Sequence, residues 1–236
     1  SNYNAAFGRS ALYYNTGAEN TAVGDAAMAT NSSGAYNTAL GRLALYNNTT
    51  GSNNTALGYQ SLLSNTTASN NTAVGYQAGY SNVTNTGGST FLGAYAGYYV
   101  TGDYNTAVGR YSGGTQATST GTNNTSVGNT AGYRLTSGSY NTAIGDSALV
   151  NTTTASYNVG VGFSALVTNT TGQVNTAVGS YGLSNNSTGA DNSAFGYSAL
   201  YTNSTGSYNV ALGRQALYSN TTASNNTAVG YQAAYS

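Results

Sequence analysis

A five-residue phrase, Asn-Thr-Ala-Val-Gly or a close variant, recurs along the chain and constrains its fold more than any other feature. Its glycines are Gly8, Gly24, Gly41, Gly58, Gly75, Gly93, Gly109, Gly128, Gly145, Gly162, Gly179, Gly196, Gly213 and Gly230. Nine of the thirteen intervals are seventeen residues; the other four are sixteen, eighteen or nineteen, and three of them lie between Gly75 and Gly128. The consensus unit reads N-T-A-V-G-Y-Q-A-L-Y-S-N-T-T-G-S-N. A fixed period of this kind marks an array in which each unit buries its apolar face against its neighbours. With no shift in composition along the way, one continuous array over residues 1–236 is expected, with irregular coils around 82–138.

Seventeen residues are too few for a helical pair, which takes about 33 or more, and Gly, Asn, Thr and Tyr are indifferent helix formers. The expectation is an all-β fold, a parallel β-solenoid or β-roll of about 14 coils. The fourth position of the unit is bulky and apolar, as in Phe7, Leu57, Val74, Ile144 and Val229, and the ninth carries Leu12, Met28, Leu45, Leu62, Leu149 and Leu200. Two short strands around these positions, cornered at the glycine and closed by the Asn-Thr-Thr-Gly turn, are expected to stack inward bulk on inward bulk. Strict alternation forbids one strand from turning both positions inward. A glycine corner between them resets the facing.

Composition removes most chemistry. Only 4% of residues are charged, against about 25% in typical soluble chains, and His, Cys, Pro, Trp and Lys are absent. That leaves no disulfide, thiol nucleophile, His-based acid or base, or zinc set. Five Arg against five acids give no footprint for nucleic acid, and no apolar run is long enough to span a membrane. No cofactor is implied. The acids Glu19, Asp25, Asp103, Asp146 and Asp191 lie repeats apart, so an enzyme is not expected. Six of the ten charged residues follow the repeat glycine: Arg9, Asp25, Arg42, Arg110, Asp146 and Arg214. Charges are almost never buried unpaired, so this column should face water. Rungs about 4.8 Å apart would set Arg9, Asp25 and Arg42 in an alternating ladder.

Two kinds of column are candidate sites. Tyr13, Tyr46, Tyr80, Tyr201, Tyr218 and Tyr235 share the tenth position, and Tyr3, Tyr36, Tyr140, Tyr157 and Tyr208 share the seventeenth. Such columns could line a subunit interface, contact sugars, or simply stack within the coil. At the twelfth position Asn31, Asn48, Asn65, Asn82, Asn169, Asn186, Asn203 and Asn220 each precede Ser or Thr by two residues. That is the N-glycosylation acceptor pattern; the competing reading is turn chemistry, since Asn tolerates left-handed backbone.

The repeated unit, from Asn4 to Tyr235, resembles the head repeats of YadA-like trimeric autotransporter adhesins and is similar to repeat arrays of phage tail fibres. The resemblance implies a left-handed parallel β-roll, trimerised side by side, that binds host surfaces or matrix. The first complete phrase starts at Asn4 and the last unit stops at Ser236 nearly in phase with it, so head-to-tail pairing of uncapped edges is also expected. The function these features point to is a non-catalytic structural fibre or adhesin repeat at an extracellular, cell or virion surface. Its partners would be other copies of itself and cell-surface or matrix glycans. The alternatives are an ice-binding β-solenoid using Thr and Asn columns and a carbohydrate-binding module using the Tyr columns.

Overall fold

The computed structural model describes residues 2–83 and 87–236; residues 84–86, within the irregular stretch, lie outside the described residues. The chain forms two compact units, Ser1–Gly121 and Thr122–Ser236, each a parallel β-solenoid. The first stacks β1 (Ala5–Phe7), β2 (Thr21–Val23), β3 (Thr38–Leu40), β4 (Thr55–Leu57), β5 (Thr72–Val74), β6 (Thr90–Leu92) and β7 (Thr106–Val108) in sequence order. The second stacks β8 (Thr125–Val127), β9 (Thr142–Ile144), β10 (Val159–Val161), β11 (Thr176–Val178), β12 (Ser193–Phe195), β13 (Val210–Leu212) and β14 (Thr227–Val229) likewise. The register follows the repeat: Thr38, Ala39 and Leu40 pair with Thr55, Ala56 and Leu57.

Each coil has one strand, not the expected two. The segment around the ninth position does hydrogen-bond to the next coil, Met28 N–H to Ala44 O at 2.9 Å and Leu45 N–H to Ser61 O at 2.9 Å. Its seventh and ninth residues, however, sit in the left-handed region, as at Leu43 (φ 58°) and Leu45 (φ 52°). Alternating hand turns this segment into a stacked ladder of turns. It also lets Ala44 and Leu45, adjacent in sequence, both reach the interior, where each is fully buried.

The expected facing of the strand is corrected as well. The third residue points inward, and Ala22, Ala39, Ala56, Ala143 and Ala177 are fully buried. The bulky fourth residue points outward; Leu40 remains 43% exposed and Phe7 77%. The coil is thin, and the Leu column of the ninth position already fills its interior, leaving room only for a methyl opposite. One coil inverts the exchange. Phe91 replaces the inward Ala, and Gly97 and Gly79 replace the ninth-position Leu in its own coil and in the preceding one, respectively. A Cβ on Gly79 would lie 2.6 Å from Phe91 Cδ2, so ring and glycines are one packing solution.

The repeat glycine marks the strand's exit. Gly58 has φ +134°, and a Cβ there would meet the backbone carbonyl carbon of Gly75 at 2.7 Å. No other residue can stack at this spacing.

Candidate functional site

The twelfth-position asparagines turn inward. Asn31, Asn48, Asn65, Asn169, Asn186 and Asn203 are fully buried and Asn82 nearly so, while Asn220 is half-buried. In the first unit, Asn48 Nδ2 donates to Asn31 Oδ1 at 2.6 Å and Asn65 Nδ2 to Asn48 Oδ1 at 2.9 Å. The second unit repeats this from Asn186 to Asn169 (3.1 Å), Asn203 to Asn186 (2.9 Å) and Asn220 to Asn203 (2.9 Å). Asn82 makes no side-chain hydrogen bond among the described residues, and Thr84 of its acceptor triplet lies outside them. A second column, unnoticed in the sequence, runs beside the first. Asn37 and Asn54, which open the repeated phrase, accept the N–H of the next coil's Asn on Oδ1 at 2.9 Å. Both columns converge on one carbonyl per turn: Gly51 O accepts Asn37 Nδ2 at 2.8 Å and Asn48 Nδ2 at 2.9 Å.

This amide spine corrects the acceptor reading for the buried members. The Nδ2 that would carry a sugar is enclosed and, from Asn31 to Asn65 and Asn169 to Asn203, donates to a carbonyl in its own turn. Turn chemistry is the role seen. Coils lacking Asn here place Val100, Leu135 or Thr152 in the same buried slot, as an interior position allows.

The tyrosines face outward and stack. Tyr201 lies on Tyr218 at 5.1 Å between ring centroids and Tyr218 on Tyr235 at 4.9 Å, within 9° of parallel. Tyr80 stacks on Tyr98 at 4.8 Å. Tyr13 instead meets Tyr14 edge-on. Tyr46 is half-buried, between coils that carry Ala29 and Leu63 at that position. In the seventeenth-position column, Tyr140 and Tyr157 stack at 5.1 Å.

Further tyrosines at the sixth and seventh positions, which the sequence reading passed over, join these into ribbons. In the first unit Tyr59, Tyr76, Tyr95 and Tyr111 follow one another at 4.9–5.3 Å. Arg42 lies over Tyr59 and Arg110 over Tyr111, the latter at 4.5 Å. Tyr98 links this run sideways to Tyr80. In the second unit Phe163, Tyr181 and Tyr197 meet edge-on at 5.2 and 5.9 Å between centroids, with Arg214 over Tyr197. Desolvation by the neighbouring rings pushes the phenols of Tyr95, Tyr98 and Tyr218 above the ordinary tyrosine value, with adjacent tyrosines adding to it. Between the rings of the second unit lies an open groove of about 270 Å³, lined by Tyr181, Tyr197, Ser198, Tyr201, Gln215 and Tyr218. Gln215 is held in place by Gln232, whose Nε2 donates to its Oε1 at 3.1 Å.

The charge ladder forms as expected. Asp25 receives Arg9 through two hydrogen bonds of 2.8 and 3.2 Å and Arg42 through one of 3.4 Å. The Arg9 guanidinium holds the Asp25 carboxyl below its usual value.

No known protein family, no characterised protein and no solved structure matches this chain. Its class therefore rests on geometry: an all-β parallel solenoid with a seventeen-residue repeat.

Proposed function

We propose that the chain is a non-catalytic structural repeat of a fibre or adhesin at an extracellular, cell or virion surface. In this reading its aromatic ribbons form a multivalent contact surface for cell-surface or matrix glycans. The observation that carries the reading is the ribbon itself. Within each run, rings follow one another from coil to coil at about 5 Å, with amide groups such as Gln215 beside them. A pyranose presents an apolar C–H face and a hydroxyl edge, and a stacked tyrosine beside a fixed amide offers a partner to each. Single contacts of this kind are weak; repetition along the solenoid turns them into avidity. The acids do not compete for a catalytic role: they are dispersed, and Asp25 is engaged by two arginines.

The test is binding of the intact chain to a panel of immobilised neutral and acidic polysaccharides. Tyr197→Ala with Tyr218→Ala removes two walls of the groove and should weaken capture at least about tenfold. Equal capture by the variant, or no capture of any polysaccharide by the unaltered chain, would refute the reading. A second reading, ice binding, is favoured by the outward, exposed Thr21, Thr38 and Thr55. The Asn columns that would share that task are enclosed. Thermal hysteresis in solution decides it.

A further inference from the structure

The chain carries 23 tyrosines and almost nothing else that gives up an electron easily. Trp, Cys and His are absent, and the single methionine, Met28, is fully buried. A one-electron oxidant that meets this surface therefore reacts at phenols. Many of those phenols are paired. Tyr201, Tyr218 and Tyr235 stack in succession at 5.1 and 4.9 Å, 8° and 9° from parallel. Tyr80 lies on Tyr98 at 4.8 Å and 8°, Tyr140 on Tyr157 at 5.1 Å and 2°, and Tyr95 on Tyr111 at 4.9 Å and 14°. None of these rings is buried. Each pair leaves equivalent positions of successive coils, one rung apart. Like edges of two such rings lie side by side, so the carbons ortho to the two phenol oxygens are neighbours.

We propose that these stacked pairs are sites of oxidative cross-linking, at which hydrogen peroxide acting through a haem peroxidase joins adjacent coils by dityrosine. Each phenol gives up one electron and its oxygen-bound proton. The peroxide takes both electrons and both protons and leaves as two waters. The two phenoxyl radicals join through their ortho carbons, forming one C–C bond. Each of those carbons then releases its hydrogen as a proton, and each phenoxyl oxygen regains one, which restores both aromatic rings. The net loss from the chain is two hydrogens per link. Holding the partners about 5 Å apart raises their effective concentration far above that of tyrosines on other chains. Parallel pairs are the sites because edge-on ones, such as Tyr76–Tyr95 at 68° and Tyr181–Tyr197 at 83°, turn an edge toward a face. A link from Tyr201 to Tyr218 closes a loop of one repeat and constrains the unfolded chain as a disulfide does, in a protein without Cys. The proposal does not depend on what the ribbons bind.

The sequence supplies the assay. Arg110 separates Tyr95 from Tyr111, and Arg214 separates Tyr201 from Tyr218. The full chain, at on the order of 1 μM to keep encounters between chains rare, is treated with a haem peroxidase and hydrogen peroxide. The band of single-chain mass is unfolded, digested with trypsin and read by mass spectrometry. Peptide 135–214 should be joined to 215–236, and 43–110 to 111–134, each pair two hydrogens lighter than the sum of its parts. Tyr218→Phe keeps the ring and removes the phenol, so the first joined pair should vanish while the second remains. Tyr111→Phe should do the reverse. Circular dichroism checks that both variants are folded. Peptides that stay separate in the single-chain band, with or without cross-linked dimers, overturn the proposal. So does joining of 135–214 to 215–236 that survives Tyr218→Phe.

Discussion

Changing Asn48 to Asp tests the amide spine with almost no change in shape. The Asn48 amide nitrogen donates to Asn31 Oδ1 at 2.6 Å and to Gly51 O at 2.9 Å, and its oxygen accepts from Asn65 at 2.9 Å. A carboxylate in that place turns an oxygen lone pair toward two acceptors, in a site with no exposed surface. The way out is to take up a proton on folding. For an aspartate whose unfolded pKa is about 3.9, that costs about 4 kcal/mol at pH 7. The protonated acid supplies one donor where the amide supplied two, so one buried acceptor stays unsatisfied at a further ~1–3 kcal/mol. The loss at pH 7 should therefore be about 5–7 kcal/mol, shrinking to ~1–3 kcal/mol near pH 4. The sign follows from linkage. The folded pKa of the new acid is raised above the unfolded one, so the native state holds the extra proton and the variant loses stability as pH rises. In the unaltered chain, Asp25 works oppositely: its pKa is lowered by the Arg9 contact, and its contribution is lost as pH falls through that lowered value. The assay is urea unfolding by far-UV circular dichroism at pH 4, 5.5 and 7, on both chains. If the first unit of the variant does not fold at pH 7, its folding on acidification is the readout. A loss that is the same at pH 4 and pH 7 would show that the Asn48 site is wet, and the spine argument would fail.

Two other substitutions address packing and backbone. Phe91→Ala should cost about 3–5 kcal/mol, and adding Gly97→Leu should recover much of it. Leu62 already adopts φ 48° at the equivalent position, close to the 60° of Gly97; additive losses in thermal unfolding would mean that ring and glycines are not exchanging volume. Val174 is a β-branched residue held at φ 58° and 49% exposed, where other coils place Asn53, Asn70 and Asn225. Val174→Asn should stabilise the second unit by about 1 kcal/mol, seen as a raised melting temperature, and a lowered one would contradict the backbone reading.

The period, the all-β class and the parallel stacking are legible in the sequence because identical rungs must pair in register. The Arg9–Asp25–Arg42 ladder and the stacking of Tyr201, Tyr218 and Tyr235 follow from the same rule. The facing of the strand was not legible. Three residues are too few for alternation to declare itself, and bulky Leu57 beside small Ala56 invites the wrong choice of interior residue. What decides it is volume: the ninth-position Leu fills a thin coil. The spine was hidden for another reason. Asn48 matches a surface modification motif and a turn equally well, and only the enclosure of its side chain separates them. The leading Asn of the phrase, Asn37 or Asn54, was a usable signal, since Asn recurs there in coil after coil where a mere turn would also accept Ser or Asp.

The amide spine has a direction. From Asn65 through Asn48 to Asn31, every side chain gives its hydrogen to the turn before and offers its oxygen to the turn after. The dipoles thus lie head to tail like compass needles in a row, and each one polarises the next. Such a row accepts a new turn far more readily than it tolerates a reversed one. A strip of this chain can be lengthened by copying a whole turn, but never by flipping one.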